Sequence, residues 1–200
     1  MTKTEIVNLA LSKLGATLIA RLGDAALPGS HHGRLLYQPT LERVLRDFPW
    51  SFATREESLA RLPAALVSRY TYSFALPADF IRIGTLPETG GHIRNEDFTR
   101  AGQAIHTNKT TALLQYVHSS VEPDDFDPDF RDAFVTLLAA ELATPLLQSP
   151  QLTQTLMQEY LGVSLPKAKS IDSRETESNE NHGPYRAINS SPLCNSRFIR

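Results

Sequence analysis

Carboxylates are the reactive side chains this sequence gathers most tightly, in the run EPDDFDPDF, which holds Glu122, Asp124, Asp125, Asp127 and Asp129. Alternating aspartates suggest a calcium loop. Such a loop needs Gly at its sixth position and Glu at its twelfth, and counting from Asp124 those positions hold Asp129 and Val135. The run reads better as a helix start: Asp127 at the N-cap, Pro128 in the first position, and carboxylates answering the positive end of the helix dipole. His31-His32 is the next candidate for metal chemistry. Adjacent residues rarely share a face, and no cysteine cluster or HExxH pattern supports them. They are expected on a surface loop. No GxSxG, no SxxK and no Gly-rich phosphate loop is present, so nucleophilic and phosphoryl chemistry lack their usual carriers. Cys194 lies in a polar terminal stretch where nothing would depress a thiol pKa. A hydrolytic carboxylate pair remains as an alternative, because its ~5–10 Å spacing is set in three dimensions. Arg43, Arg46, Arg55, Arg61 and Arg69 are interspersed with Glu42, Asp47, Glu56 and Glu57. That mixture suits a solvated or interfacial face rather than a phosphate track.

The composition narrows the classes further. Twenty basic against 22 acidic residues leave a net charge of -2 over 200 residues, which disfavours tight nucleic-acid binding. A single cysteine excludes an intrachain disulfide framework and a cysteine-rich zinc site. No apolar run approaches the ~20 residues needed to span a bilayer, and the N-terminus makes a poor signal peptide. No cofactor, no metal and no membrane partner are expected.

The elements that would position any site can be read from periodicity. Thr2 and Glu5 have capping-box spacing. Ile6, Leu9 and Ala10 make one helical stripe, and Val7, Leu11, Leu14 and Leu18 an adjoining one, with Gly15 as a left-handed stop. So wide an apolar arc needs partners on two sides. Residues 21–33 read as a loop. Leu41, Val44, Leu45 and Phe48 mark a second helix, with Pro39 either at its start or kinking a longer one from about Ser30. Pro49 stops it, and Trp50 and Phe52 are expected to anchor the next junction in the core. From about 52 to 120 the period is two. Tyr70–Leu76, Phe80–Leu86, His92–Asn95, Ala104–Thr107 and Leu113–Val117 read as short strands of a small antiparallel sheet. Helical period returns at Asp127-Pro128. Pro145 should kink or end that helix. Ser149-Pro150 opens another, weakened near Gly162 and Pro166. After about Lys169 the chain turns polar and aperiodic, which suits a terminus disordered in an isolated subunit.

The expected architecture is therefore α+β. Residues 1–50 and 127–168 form a helical bundle, residues 51–126 a β-rich insertion projecting from it, and residues 169–200 an extended C-terminal tail. Tyr185, Ile188, Leu193, Phe198 and Ile199 are spaced along that tail as apolar anchors for an extended strip on a partner.

Four stretches together resemble one family, the tail tubular protein A-like head-to-tail adaptors of tailed double-stranded DNA bacteriophages. They are TEIVNLALSKLGA, YQPTLERVLRDFPWSFAT, YTYSFALPADFIRI and LLQYVHSSVEPDDFDPDFRDAFVTLLAAELATPLLQS. The likeness covers roughly residues 3–165 and lies in the order and spacing of helix, Pro-Trp-x-Phe-Ala junction, Leu-Pro-x-Asp turn and F-x-P-x-F turn. It implies a structural, non-enzymatic virion protein. Such adaptors form a dodecameric ring beneath the portal, join it to a downstream tail or nozzle protein, and leave a channel that DNA crosses only transiently. They sit in the neck between capsid and tail and are assembled in the host cytoplasm. By the same analogy the five tail anchors would meet the portal. Two other classes compete: a virion-associated cell-wall hydrolase using a carboxylate pair, and a DNA-binding regulator using a terminal helix.

Overall fold

The computed structural model describes residues 1–24, 26–63, 69–84 and 98–180, with side chains as far as Glu175. The chain is a mixed α+β fold containing five α-helices, six strands and two small antiparallel sheets among the described residues.

Helix α1 spans Lys3–Lys13 and begins with the capping box the sequence announces: Thr2 and Glu5 satisfy each other's backbone N–H. It closes as the sequence predicts. Gly15 takes φ +63°. The Gly15 and Ala16 N–H groups donate back to the Ser12 and Leu11 carbonyls, the paired bonds of a Schellman stop. Helix α2 spans Pro28–Asp47 and runs through Pro39. Residues 28–33, expected as loop, are its first turns, so His31 and His32 are helical. Pro28 supplies the fixed φ of a helix start, and the Ser30 hydroxyl ties the turn to the Asp24 N–H and Arg21 carbonyl. Pro39 is tolerated because it is exposed, as is Leu35 four residues back, so the carbonyl it leaves unpaired faces water.

The partners for α1 come from its own chain. Ile6, Val7, Ala10 and Leu11 are buried against α2 and against α3, Pro128–Leu147. Helix α3 is the central element: Phe130, Phe134, Leu137 and Leu138 are buried, with Ala133, Ala139, Ala140 and Ala143 allowing close approach. It continues through Pro145, at an exposed position within its last turn, and ends at Leu147. Helix α4, Pro150–Glu159, opens on Ser149, whose hydroxyl accepts the Leu152 N–H. A single π turn at Tyr160–Ser164 then leads without a break into α5, Leu165–Glu180.

Helix α5 departs from the expected tail, since the residues from Lys169 to Glu180 are helical rather than extended. Leu165, Ala168 and Asp172 are buried at i, i+3 and i+7 on one helical face. No Gly or Pro interrupts residues 167–180. Polar composition hid a helix whose contact stripe includes a carboxylate.

The strands fold into two layers. Strands β1 (Thr54–Ser58) and β3 (Phe80–Ile83) flank β6 (Leu113–His118). Strands β2 (Tyr72–Ala75) and β4 (Phe98–Ala101) flank β5 (Ala104–Thr107). All pairings are antiparallel. The expected strand at His92–Asn95 lies outside the described residues. The sheet does not merely project from the bundle. Val117 and Ile81 pack into the bundle core, while Leu114 and Tyr116 pack into a second core with Phe74, Leu76 and Ile105. The β1-β6-β3 sheet is thus a middle layer. Two arginines bracket it to α2: Arg82 donates to the Arg46 carbonyl at 2.9 Å and Arg46 to the Ile81 carbonyl at 3.4 Å. Arg82 thereby satisfies one of the carbonyls a helix end leaves open.

Candidate functional site

The junction after α2 is built as the Pro-Trp-x-Phe spacing predicts. Trp50 is 1% exposed. Its indole N–H donates to the Val44 carbonyl at 2.9 Å, and its ring meets Phe48 and Phe130 edge to face. Phe52 lies 4.7 Å from Phe130 and 6.0 Å from Phe126, centroid to centroid. Two motifs far apart in the chain, PWSF and FDPDF, thus interlock in one aromatic cluster. Beside it, Glu122 and Asp125 cap each other's backbone across a 3-10 turn, and Asp127 takes the N-cap position of α3 without bonding through its side chain. Burial, then the charges of Glu175 and Asp172, hold the Asp127 carboxyl above its ordinary pKa. The acidic run is a helix start, and no group of His, Cys, Asp and Glu side chains among the described residues is arranged to hold a metal.

One grouping of titratable side chains could do acid–base work. The buried Tyr116 hydroxyl reaches Glu57 at 2.9 Å and Asp79 at 3.3 Å, and Arg55 stands 3.5 Å from Asp79. His118 lies 4.0 Å from the same carboxylate, with its Nδ1 lacking a hydrogen-bond partner. The β1–β6 register sets Arg55 opposite Tyr116, and the two-residue period brings Glu57 to the same face. Asp79 arrives from the Pro77–Asp79 turn that precedes β3. Burial and then the hydrogen bond to Glu57 push the Tyr116 phenol well above its ordinary pKa. Burial and then Arg55 lower that of His118. Sequence reasoning missed this cluster; its signal was the Arg-x-Glu spacing in a polar strand facing an apolar one.

As a hydrolytic pair the cluster is poorly disposed. Both carboxylates converge on a phenol oxygen, which takes up the place where a scissile oxygen or attacking water would have to sit. Arg55 further commits Asp79 to an ion pair. The arrangement serves instead to pin the Leu-Pro-x-Asp turn to the middle sheet.

The surface of the bundle is more suggestive. Leu161 and Val163 on the π turn are 58% and 61% exposed, and Leu18 and Leu147 are 56% and 42% exposed. Leu147 lines a cleft of about 340 Å3 whose lining, including Leu11, Ile19, Leu27 and Leu146, carries no charge. A second cleft of about 510 Å3 runs between α1 and α3, lined by Leu9, Lys13, Arg131, Asp132 and Val135. The wide apolar arc of α1 is therefore divided: one side is buried in its own chain, and Leu9 is left at the surface.

Arg43 pairs with Glu141 at 2.8 Å, and Arg61 lies over the Tyr72 ring. The tail anchors Tyr185, Ile188, Leu193, Phe198 and Ile199, and Cys194, lie outside the described residues. No described helix is long and apolar enough to cross a membrane. No protein-family model matches this chain, and no curated protein matches it in sequence.

Proposed function

We propose that this chain is a structural subunit, a ring-forming head-to-tail adaptor of a tailed double-stranded DNA bacteriophage. It would join the portal above to a tail or nozzle protein below and leave a channel for DNA. The observation that supports this most is the interlocking of the motifs behind the family resemblance. Trp50 and Phe52 of the first junction pack against Phe126 and Phe130 of the second, so stretches alike in order and spacing also work as one unit in space. The exposed apolar side chains fit the same reading. A ring needs two different patches on each subunit, because heterologous contacts close only when unlike surfaces meet. Leu161 with Val163, and the apolar cleft edged by exposed Leu147, offer two such patches. The near-neutral charge suits a conduit, since clustered Lys and Arg would hold phosphates during passage. Residues 181–200 carry the proposed portal anchors, Tyr185, Ile188, Leu193, Phe198 and Ile199. A strip that orders on docking wraps a large surface while bearing its ordering cost at that moment.

The test is electron microscopy of the purified chain alone and mixed with the phage's portal protein. The reading expects rings seated on the portal, with binding lost when residues 181–200 are deleted. A chain that stays monomeric beside the portal would overturn it. So would cell-wall clearing that disappears in Glu57→Gln, which would favour the hydrolase.

A further inference from the structure

We infer that α5 is a latched arm, hinged on the π turn at Tyr160–Ser164 and held shut by the Asp172 carboxylate on Ser51. This rests on the geometry of the chain and not on the adaptor reading.

The hinge is visible in the backbone. A π turn widens the helix by one residue and weakens its hydrogen-bond ladder locally. Here it falls between two regular helices and contains Gly162, with Pro166 just beyond it. Gly162 has open space around it, and Leu161 and Val163 are exposed, so little packing holds the turn from outside. Tyr160 holds the near side: it is buried and its hydroxyl donates to Asp47 at 2.9 Å. Motion is thereby confined to the turn and the helix beyond it.

The arm itself is thinly attached. Leu165 and Ala168 are its buried apolar residues among those with described side chains. Beyond them the contact is polar. The buried Asp172 carboxylate accepts the Ser51 N–H at 3.0 Å and the Ser51 hydroxyl at 2.7 Å. Lys167 pairs with Asp129 at 2.7 Å, at an exposed position. Lys169 stands over the Phe48 ring at 5.9 Å, and a helix whose attachment is polar over most of its described length belongs to the low-stability end of a fold. Beside the latch, Asp127 feels the like charge of Asp172, which opposes closure, while Lys167 offsets Asp129. Helix α5 is roughly 24 Å long, so a modest rotation at the hinge carries its end, and the chain after it, across a wide arc. Closed, it lies over the start of α3 and the residues flanking Trp50.

Hydrogen exchange on the full chain, read by mass spectrometry, tests this. Wild-type α5 amides are expected to exchange through a local opening, well before the buried centre of α3. Asp172→Ala should speed α5 exchange roughly tenfold, with the α3 centre still the slowest to exchange. Quenching of Trp50, the sole tryptophan, by acrylamide should rise in parallel. Should Asp172→Ala fail to fold, Ser51→Ala, which removes only the hydroxyl donor, carries the same comparison. Exchange of α5 and α3 together at one global rate would overturn the arm. Unchanged α5 exchange in the variant would overturn the latch.

Discussion

Gly33 stands in the middle of α2, where alanine would ordinarily be preferred, and its replacement sets two effects against each other. Gly→Ala in a helix interior gains about 1 kcal/mol, since glycine surrenders more backbone freedom on folding. A Cβ at Gly33, however, would stand 2.7 Å from Val7 Cγ1 and 3.4 Å from Leu22 Cδ1. Val7 is fully buried in α1, and a β-branched side chain in a helix has one strongly preferred rotamer, so it cannot turn aside. Separating the helices instead disturbs a packed core and costs about 1–3 kcal/mol. The clash should win by about 1 kcal/mol. For a chain of this size that lowers the thermal midpoint by roughly 2–4 °C. Gly162→Ala is the matched control: nothing lies within 4 Å of its would-be Cβ. It should stabilise by about 0.5–1 kcal/mol through the unfolded state. Urea unfolding followed by circular dichroism measures both. A Gly33→Ala protein as stable as wild type, or more so, would mean that α1 and α2 do not approach as described.

Tyr37, Tyr116 and Tyr160 all have pKa values raised first by burial. Their contribution to stability is intact below the ordinary phenol pKa and falls as pH climbs above it toward the raised folded values. Tyrosinate absorbance at about pH 11, just above the ordinary phenol pKa, should therefore show these three tyrosines silent until the protein unfolds. His118 has the opposite sign. Its folded pKa is depressed, so its contribution is present above 6.5 and is lost as pH falls toward the folded value. A His118→Gln variant should lose less stability than wild type between about pH 7 and pH 5 in urea titrations. Leu161→Ser combined with Val163→Ser should leave the monomer's unfolding free energy within about 0.5 kcal/mol of wild type, as exposed sites do. The same pair should abolish ring formation in sedimentation velocity, and intact rings would remove the π-turn patch from the interface.

The helices were largely legible in the sequence because their ends carry local chemistry. Thr2 with Glu5, Gly15, Asp127-Pro128 and Ser149-Pro150 each act within one turn of their own position. The features that stayed concealed depend on distant partners. Helix α5 is held by Asp172 on Ser51, 121 residues away, so its polar stripe looked like tail. Strand β1, TREES, has an exposed polar pattern that means little until β6 lies beside it. The first turns of α2 resembled a loop because Gly29 and Gly33 permit close approach to Leu11 and Val7, and no local pattern distinguishes that use of glycine from a turn. The Tyr116 cluster was missed for the same reason, since three strand segments must meet before its carboxylates share a partner.

Consecutive residues of β6 belong to different interiors: Tyr116 to the outer one and Val117 to the inner. A lesion in the distal layer therefore reaches the helices through the middle sheet, by the backbone of β6 and by β3, whose Ile81 packs into the bundle core and whose Arg82 bonds α2. Sequence drift, insertions or even replacement of the outer layer should be tolerated so long as β6 keeps its strict alternation. The chain can renew the surface it shows on that side without renegotiating the helices beneath.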